Sequence, residues 1–447
     1  MTNPIEMVVI NLGKESTVSE EKKQRLETLA VHGGQAIDAT TSRGVPIYRT
    51  SSYVFPTTER AANLFALKEL GNIYTRIMNP TQDVLEQRVT LLEGGAASVA
   101  LASGTAAVHY AIITLARQGD EIVSANNLYG GTYTMFDAIL PQFGITVKFV
   151  KHDDPKNFEK AITPKTRAIF VETIGNPALD VVDIAAVAKV AHAHNLPLIV
   201  DATFTTPALL KTIEHGADIV VNSLTKWMGG HGTGIGGIVT DAGSFNWKDK
   251  KFSLFNDPDP NYHGLHWATD LPAPLAPIAF ALRLRTVPLR NLGSCISPDN
   301  AWLFLQGLET LTLRMERHSS NAMAVAQHLK RHPKVAWVRY PGLPDDPTYP
   351  TASRYLKKGF GGMVVFGTRG GKAAGEKFIN ELKLFSHLAN VGDAKSLALH
   401  PASTSHSQLT EEQQREGGLT PELVRLSIGI EHIDDIKEDI EQALAKT

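Results

Sequence analysis

Asp218-Ile219-Val220-Val221-Asn222-Ser223-Leu224-Thr225-Lys226 is an apolar, β-branched run that closes on an amide, two hydroxyls and an amine. A strand without polar interruption is one covered on both faces, as in a parallel sheet flanked by helices. Five further runs of the same kind lie around it: Glu121 to Ala125, Thr146 to Val150, Ala168 to Glu172, Leu198 to Asp201 and Gly237 to Val239. Helix-like segments separate them, Ala185 to Asn195 among them, and this alternation predicts βαβ units and an α/β fold whose large sheet is mainly parallel. Beyond it, a helical pattern from Asn300 to Leu329, strands near Val335 to Val338 and Gly362 to Phe366, and a last helix from Ile433 predict a smaller α+β domain. The segment up to about residue 70 reads as an arm. Phe245 to Pro277 shows no period and reads as an extended loop or insertion, a class of segment that is often functional.

At 447 residues with 43% hydrophobic and 20% charged side chains, the chain is long enough for two or more packed domains. A net charge of −2 advertises no basic face for nucleic acid or an anionic membrane, so small-molecule chemistry is the default expectation. A single cysteine, Cys295, excludes a disulfide framework within the chain and suits a reducing compartment. The first residues carry a short apolar run, Met7 to Ile10, without a basic flank, and no stretch approaches the ~20 apolar residues of a membrane span. A cytoplasmic protein is the expectation.

The chemistry gathers at strand ends. Ligands of an α/β sheet bind outside the carboxyl ends of its strands, where Lys226 stands after Asn222, Ser223 and Thr225. Asp201 closes the neighbouring run, where a carboxylate is costly unless it meets a cation. A protonated pyridine nitrogen supplies one, and an aspartate partner keeps pyridoxal 5'-phosphate (PLP) in the protonated form that draws electrons; a helix-capping aspartate is the plainer alternative. Ser103-Gly104-Thr105 opens a helix whose free first-turn N–H groups suit a phosphate. With the hydroxyls of Ser223 and Thr225 it makes a cup, although a serine cap at a helix start is common. Tyr129 follows the next strand, where a ring can stack on a flat cofactor or simply pack. Arg425 sits inside the strand-like run Val424 to Ile428 and calls for a carboxylate, from a substrate or from a structural salt bridge. Gly232, Gly234 and Gly237 satisfy G-x-G-x-x-G but precede a strand with no helix after it, which is not a dinucleotide site. The 16 histidines show no zinc pattern, and no metal is expected.

Taken together, these residues resemble the γ-subfamily of PLP enzymes of cysteine and methionine metabolism, the O-acetylhomoserine sulfhydrylases in particular. The likeness runs along nearly the whole chain: Val45 to Tyr48, Ser51 to Phe55, Tyr74-Thr75-Arg76, Asn79-Pro80-Thr81, Ser103 to Ala107, Asn176-Pro177, Asp201 to Phe204, Ser223 to Lys226, Gly307 to His318, His400 to Ser403 and Arg425 to Gly429. It implies the type I PLP-transferase fold, with an arm over residues 1–70, a PLP-binding domain over 71–300 and a C-terminal domain over 301–447. It also implies a Schiff-base and proton-shuttling role for Lys226, Asp201 against the ring nitrogen, and Tyr129 stacked on the ring and taking part in catalysis. Ser103, Gly104, Thr105, Ser223 and Thr225 would hold the phosphate, with Thr203 and Asn176 beside the cofactor. Tyr74 and Arg76 would reach the phosphate of a neighbouring subunit, which makes a homodimer the minimum and a tetramer the expected assembly. Arg425 would bind the substrate α-carboxylate with Asn390 and Tyr74. Thr105 stands where many relatives have methionine. The run Asn390 to Lys395 departs from the Ser-Leu-Gly-Gly-x-Glu of cystathionine synthases and lyases, and no cysteine lies near Tyr129 as in many methionine γ-lyases. The implied reaction is γ-replacement of the acetate of O-acetylhomoserine by sulfide, with activity on O-acetylserine as a possible extension. A γ-elimination lyase and a non-catalytic PLP-binding protein are the alternatives.

Overall fold

In the computed structural model of the chain, residues 24–404 and 418–447 are described. The first 23 residues of the expected arm, with the Met7 to Ile10 run, lie outside the described residues. Seven strands form the larger sheet: β1 (Ala97–Leu101), β2 (Glu121–Ala125), β3 (Thr146–Val150), β4 (Thr166–Glu172), β5 (Leu198–Asp201), β6 (Ile219–Ser223) and β7 (Gly237–Asp241). Their spatial order is β1-β7-β6-β5-β4-β2-β3. Consecutive residues Leu198, Ile199 and Val200 of β5 are all fully buried, so both faces of the sheet centre are covered. Helices Pro80–Glu93, Gly104–Leu115 and Ile184–Ala193 supply part of that cover. Each begins on a side-chain cap: Asn79 accepts from the Thr81 N–H, Ser103 from Ala106 and Asp183 from Ala186.

From β6 across β5, β4 and β2 to β3 every pairing is parallel. β7 departs from the expected pattern, running antiparallel to both β6 and β1. The physical reason is the connection. Between Ser223 and Gly237 the chain makes one tight turn and a glycine-rich return without a crossover helix, and a direct return can pair only antiparallel. The glycines at 232, 234 and 237 belong to that return and to the start of β7.

A second sheet, of five strands, comprises β8 (Val335–Arg339), β9 (Met363–Thr368), β10 (Ser386–His387), β11 (Leu397–Leu399) and β12 (Leu423–Ser427), in the order β10-β11-β12-β9-β8. It has its own core, in which Val364, Phe366, Val424 and Leu426 meet Val325, Phe378 and Ile440 of the helices packed on it. Two expectations need correction. The helix expected over 300–329 is two helices, Pro298–Glu309 and Leu311–Arg331, because Thr310 leaves helical geometry and its hydroxyl is drawn into local bonds to the Gly307 carbonyl and the Arg314 Nε. The 245–277 segment is not an open loop. Short helical turns at Ser253–Asn256, Pro260–Tyr262 and Ala276–Ile278 run through it. Trp247 stacks on Phe255 at 4.3 Å and on Phe280 at 5.5 Å, and buried Trp267 donates its indole N–H to Asp259 at 2.8 Å. Its aromatic residues are core, spaced too irregularly to show a period.

Candidate active site

The parallel register brings three strand ends together: Glu172 of β4 lies opposite Asp201 of β5, and Asp201 opposite Val221 of β6. Just past β6 the chain turns through Leu224–Met228, and Lys226 leaves helical geometry within it, at φ −92° and ψ −130°. This turn is clamped from behind. Arg314, buried in the helix after Thr310, donates through Nη1 to the Trp227 carbonyl at 2.7 Å and through Nη2 to the Gly307 and Met228 carbonyls at 2.6 and 3.2 Å. Gly230, at φ +73°, has no Cβ because one would stand 2.0 Å from Arg314 Nη1. On the other side Lys226 Nζ donates to Asn390 Oδ1 at 2.5 Å. Burial, and then the positive charge of Arg425, push the lysine down to about 8. An amine so placed sheds its proton more readily than an ordinary lysine and so offers more of the free nucleophile.

Asp201 is recessed, and one of its oxygens accepts the Thr203 N–H at 2.9 Å. Burial pushes its carboxyl up, the cost expected of an anion awaiting a cation. Thr203 in turn accepts the Ser223 N–H on its hydroxyl at 2.9 Å, tying the two strand ends together. The helix start at Gly104 comes directly against Ser223, since a Cβ on Gly104 would stand 2.8 Å from Ser223 Oγ. Gly104 and Thr105 present first-turn N–H groups ahead of the helix's own ladder. Ser103 spends its hydroxyl as the cap, at 3.0 Å from the Ala106 N–H, and Thr225 exchanges hydrogen bonds with Gly236 at 3.0 and 3.2 Å. The donor set fits PLP: a carboxylate for the ring N–H, backbone donors and a hydroxyl for a phosphate, and an amine depressed below the ordinary lysine range for an aldehyde.

Tyr129 is half exposed. Its ring lies back over its own loop, where a Cβ on Gly131 would meet it at 2.6 Å. Its backbone N–H donates to Glu172 Oε1 at 2.7 Å. Arg425, on β12, is 7% exposed, and its one hydrogen-bond partner among the described residues is Asn176 Oδ1 at 3.3 Å. Among the described residues no carboxylate pairs with it. Burial pushes the guanidinium down to about 10, and its positive charge in turn acts on Lys226. A planar guanidinium fork matches the geometry of a carboxylate.

The chain therefore brings together Lys226, Asp201, Thr203, Ser223, Gly104, Tyr129, Asn390, Arg425 and Asn176. It does not bring Tyr74 and Arg76 into the group. Both are exposed on the arm side, where the Arg76 guanidinium lies 5.3 Å over the Tyr74 ring. Two residues escaped the sequence reading. Glu172 ends its strand as Asp201 ends the next one, so the signal that singled out the aspartate applies to it equally. Arg314 lies within the Gly307 to His318 stretch of the likeness but was given no role, since its contacts are with carbonyls 86 and 87 residues away.

Comparison with known proteins matches residues 27–445 to the family described as Cys/Met metabolism PLP-dependent enzymes. O-acetyl-L-homoserine sulfhydrylase of Leptospira meyeri is 56% identical over 424 residues, covering 94% of this chain and 96% of its own. Homocysteine synthase of Schizosaccharomyces pombe is 51% identical over 427 residues, covering 95% and 99%. A crystal structure from Campylobacter jejuni, solved as an O-acetylhomoserine (thiol)-lyase and containing a lysine that bears pyridoxyl 5'-monophosphate, superposes with a TM-score of 0.91 at 41% identity, covering 94% of this chain and 100% of that one.

Proposed function

Because the chain belongs to the Cys/Met metabolism PLP-dependent enzymes, we propose that it catalyses γ-replacement on O-acetyl-L-homoserine, exchanging acetate for sulfide to give L-homocysteine. The observation that carries the reading is Arg425, a buried guanidinium with no carboxylate partner among the described residues, close enough to the depressed amine of Lys226 for its charge to act there. The substrate named for relatives more than 50% identical over nearly their whole length supports the choice among carboxylate-bearing amines.

When bound, PLP supplies an electron sink that makes the substrate's Cα and Cβ protons acidic enough to move. The protein's part falls to named groups. Asp201 holds the proton on the ring nitrogen. Arg425 takes the α-carboxylate in its planar fork, steadied by Asn176, and so fixes Cα. Lys226 would anchor the cofactor and, with its amine free, would take the Cα proton at Nζ and return it at the end. Asn390 holds Nζ until then and contributes to the substrate's side of the cleft, and Tyr129 covers the ring. With a Cβ proton also taken at Nζ, acetate would leave Cγ with the electron pair of the broken C–O bond, hydrosulfide would form the C–S bond there, and the Cβ proton would return. Ser103, Gly104, Thr105, Ser223 and Thr225 belong to the phosphate end; Thr225 exchanges its bonds with Gly236 to serve it.

Tyr74 and Arg76 lie outside the chain's own cluster, and the same reading has them complete the site of a neighbouring subunit, with a homodimer as the smallest active form and a tetramer as the full assembly. The division into an arm to residue 70, a PLP-binding domain over 71–300 and a C-terminal domain over 301–447 is part of the same reading. So is a cytoplasmic setting, which the lone Cys295 suits; among the described residues no helix is long and apolar enough to cross a membrane. The test is a product assay on the PLP-loaded protein with O-acetylhomoserine, with and without sulfide, beside Lys226→Ala. Sulfide-dependent homocysteine that disappears in the variant is expected. Equal 2-oxobutyrate and ammonia with or without sulfide, and no homocysteine, would mean a lyase.

A further inference from the structure

The mechanism above leaves unused the buried carboxyl that stands beside Asp201. Glu172 ends β4 in register with Asp201 at the end of β5, and neighbouring strands stand about 4.8 Å apart with paired side chains on the same face. It is 6% exposed. Each carboxyl accepts one backbone N–H, Glu172 from Tyr129 at 2.7 Å and Asp201 from Thr203 at 2.9 Å. The charged group that faces Glu172 is Asp201 itself, and Tyr129 meets it only through its backbone. Two carboxylates this close, without a cation between them, do not both ionise. The ring nitrogen of the cofactor offers its positive charge to Asp201, so Asp201 is the one that keeps an anion.

We propose that Glu172 is a positioning residue that works as a neutral carboxylic acid, holding Tyr129 by its backbone N–H so that the ring covers the cofactor, and leaving Asp201 the sole anion at the ring nitrogen. Burial first, and then the charge of Asp201, push the Glu172 carboxyl well above the ordinary carboxylate range, which agrees with this. The inference rests on the reading of Asp201 and Tyr129 as cofactor partners. It gives the strand-end pair a division of labour: one carboxyl charged for chemistry, one neutral for placement.

The test compares wild type with Glu172→Gln, which keeps an acceptor for the Tyr129 N–H without a titrating proton, and Glu172→Met, which removes the acceptor. In difference infrared spectra at neutral pH, wild type is expected to show the carbonyl stretch of a protonated acid that Glu172→Gln lacks. Glu172→Gln should keep kcat and KM within about threefold of wild type, and the pH dependence of the bound cofactor's visible absorbance unchanged. Glu172→Met should shift that absorbance and lower kcat more than KM. The infrared band is read on the PLP-loaded protein and compared with Asp201→Asn, in which a proton carried by Glu172 keeps its band, so failure to form homocysteine overturns the functional reading while the protonation of Glu172 is still decided. Absence of the acid band, or a cofactor titration displaced in Glu172→Gln as loss of an anion would displace it, overturns the proposal. If Glu172→Met does not fold, the infrared band and the Glu172→Gln titration decide it.

Discussion

Arg425→Lys isolates what the guanidinium contributes as a fork from what it contributes as a charge. Arg425 sits in the middle of β12, between Leu399 of β11 and Val365 of β9, so its backbone is fixed and a lysine there keeps its cation in the same cleft. A planar fork gives a carboxylate two parallel N–H bonds, whereas an ammonium group gives one directed bond from a shorter reach. Losing one charge-assisted bond costs about 1.5–3 kcal/mol, or roughly 10- to 150-fold in kcat/KM. Because a cation remains beside Lys226, the cofactor's absorbance and its rate of incorporation should not change. Arg425→Ala should cost about 2–5 kcal/mol, since it leaves the substrate carboxylate uncompensated in a buried site. Without the cation that helps to depress it, the Lys226 amine should also titrate higher. The assay is steady-state homocysteine formation over a range of O-acetylhomoserine concentrations, with cofactor occupancy read in parallel. Unchanged kcat/KM in Arg425→Lys, or a loss traced wholly to lower occupancy, refutes the carboxylate-receptor argument.

Reconstitution of the cofactor-free protein with PLP should depend on pH through Lys226. Its neutral amine attacks the aldehyde, and its titration is depressed to about 8, so the rate should rise as pH passes through about 8 and level off above it. A rate still climbing in the ordinary lysine range contradicts this. Gly230→Ala places a Cβ 2.0 Å from Arg314 Nη1 at a left-handed backbone position. Left-handed strain of about 1–2 kcal/mol together with lost bonds from the Arg314 clamp should lower the melting temperature and weaken cofactor retention; wild-type behaviour in both measurements would show that the clamp does not hold the turn. Chains carrying Arg76→Ala or Lys226→Ala should each be inactive alone, and random pairing should restore roughly a quarter of wild-type activity if each site draws on two subunits. No recovery after mixing and refolding would place both residues in one chain's site.

How much was legible follows from where each signal lives. Asp201 and Lys226 could be read because a polar residue after an unbroken apolar run is a local anomaly, and the parallel sheet places such anomalies at one edge. Glu172 carries the same anomaly and was passed over, because what distinguishes it, the register with Asp201 and the N–H of Tyr129, is tertiary. The reversed direction of β7 was hidden because an apolar strand looks alike in either orientation, and only the missing crossover helix before Gly237 gives it away. Thr310 breaks a helix whose apolar period continues on both sides, so periodicity alone joined the two halves. The 245–277 segment misled in the opposite sense: its aromatic residues pack on one another from very short elements, and such packing leaves no repeat.

The account stands on Lys226 as the residue that holds the cofactor in the cleft with Asp201 and Arg425. Borohydride reduction of the PLP-loaded protein, followed by proteolysis and mass spectrometry, tests this directly. A phosphopyridoxyl group on the peptide that contains Lys226, and loss of that label in Lys226→Ala, is the predicted result. A label fixed on another lysine, or none on a protein that retains its visible absorbance, would contradict it.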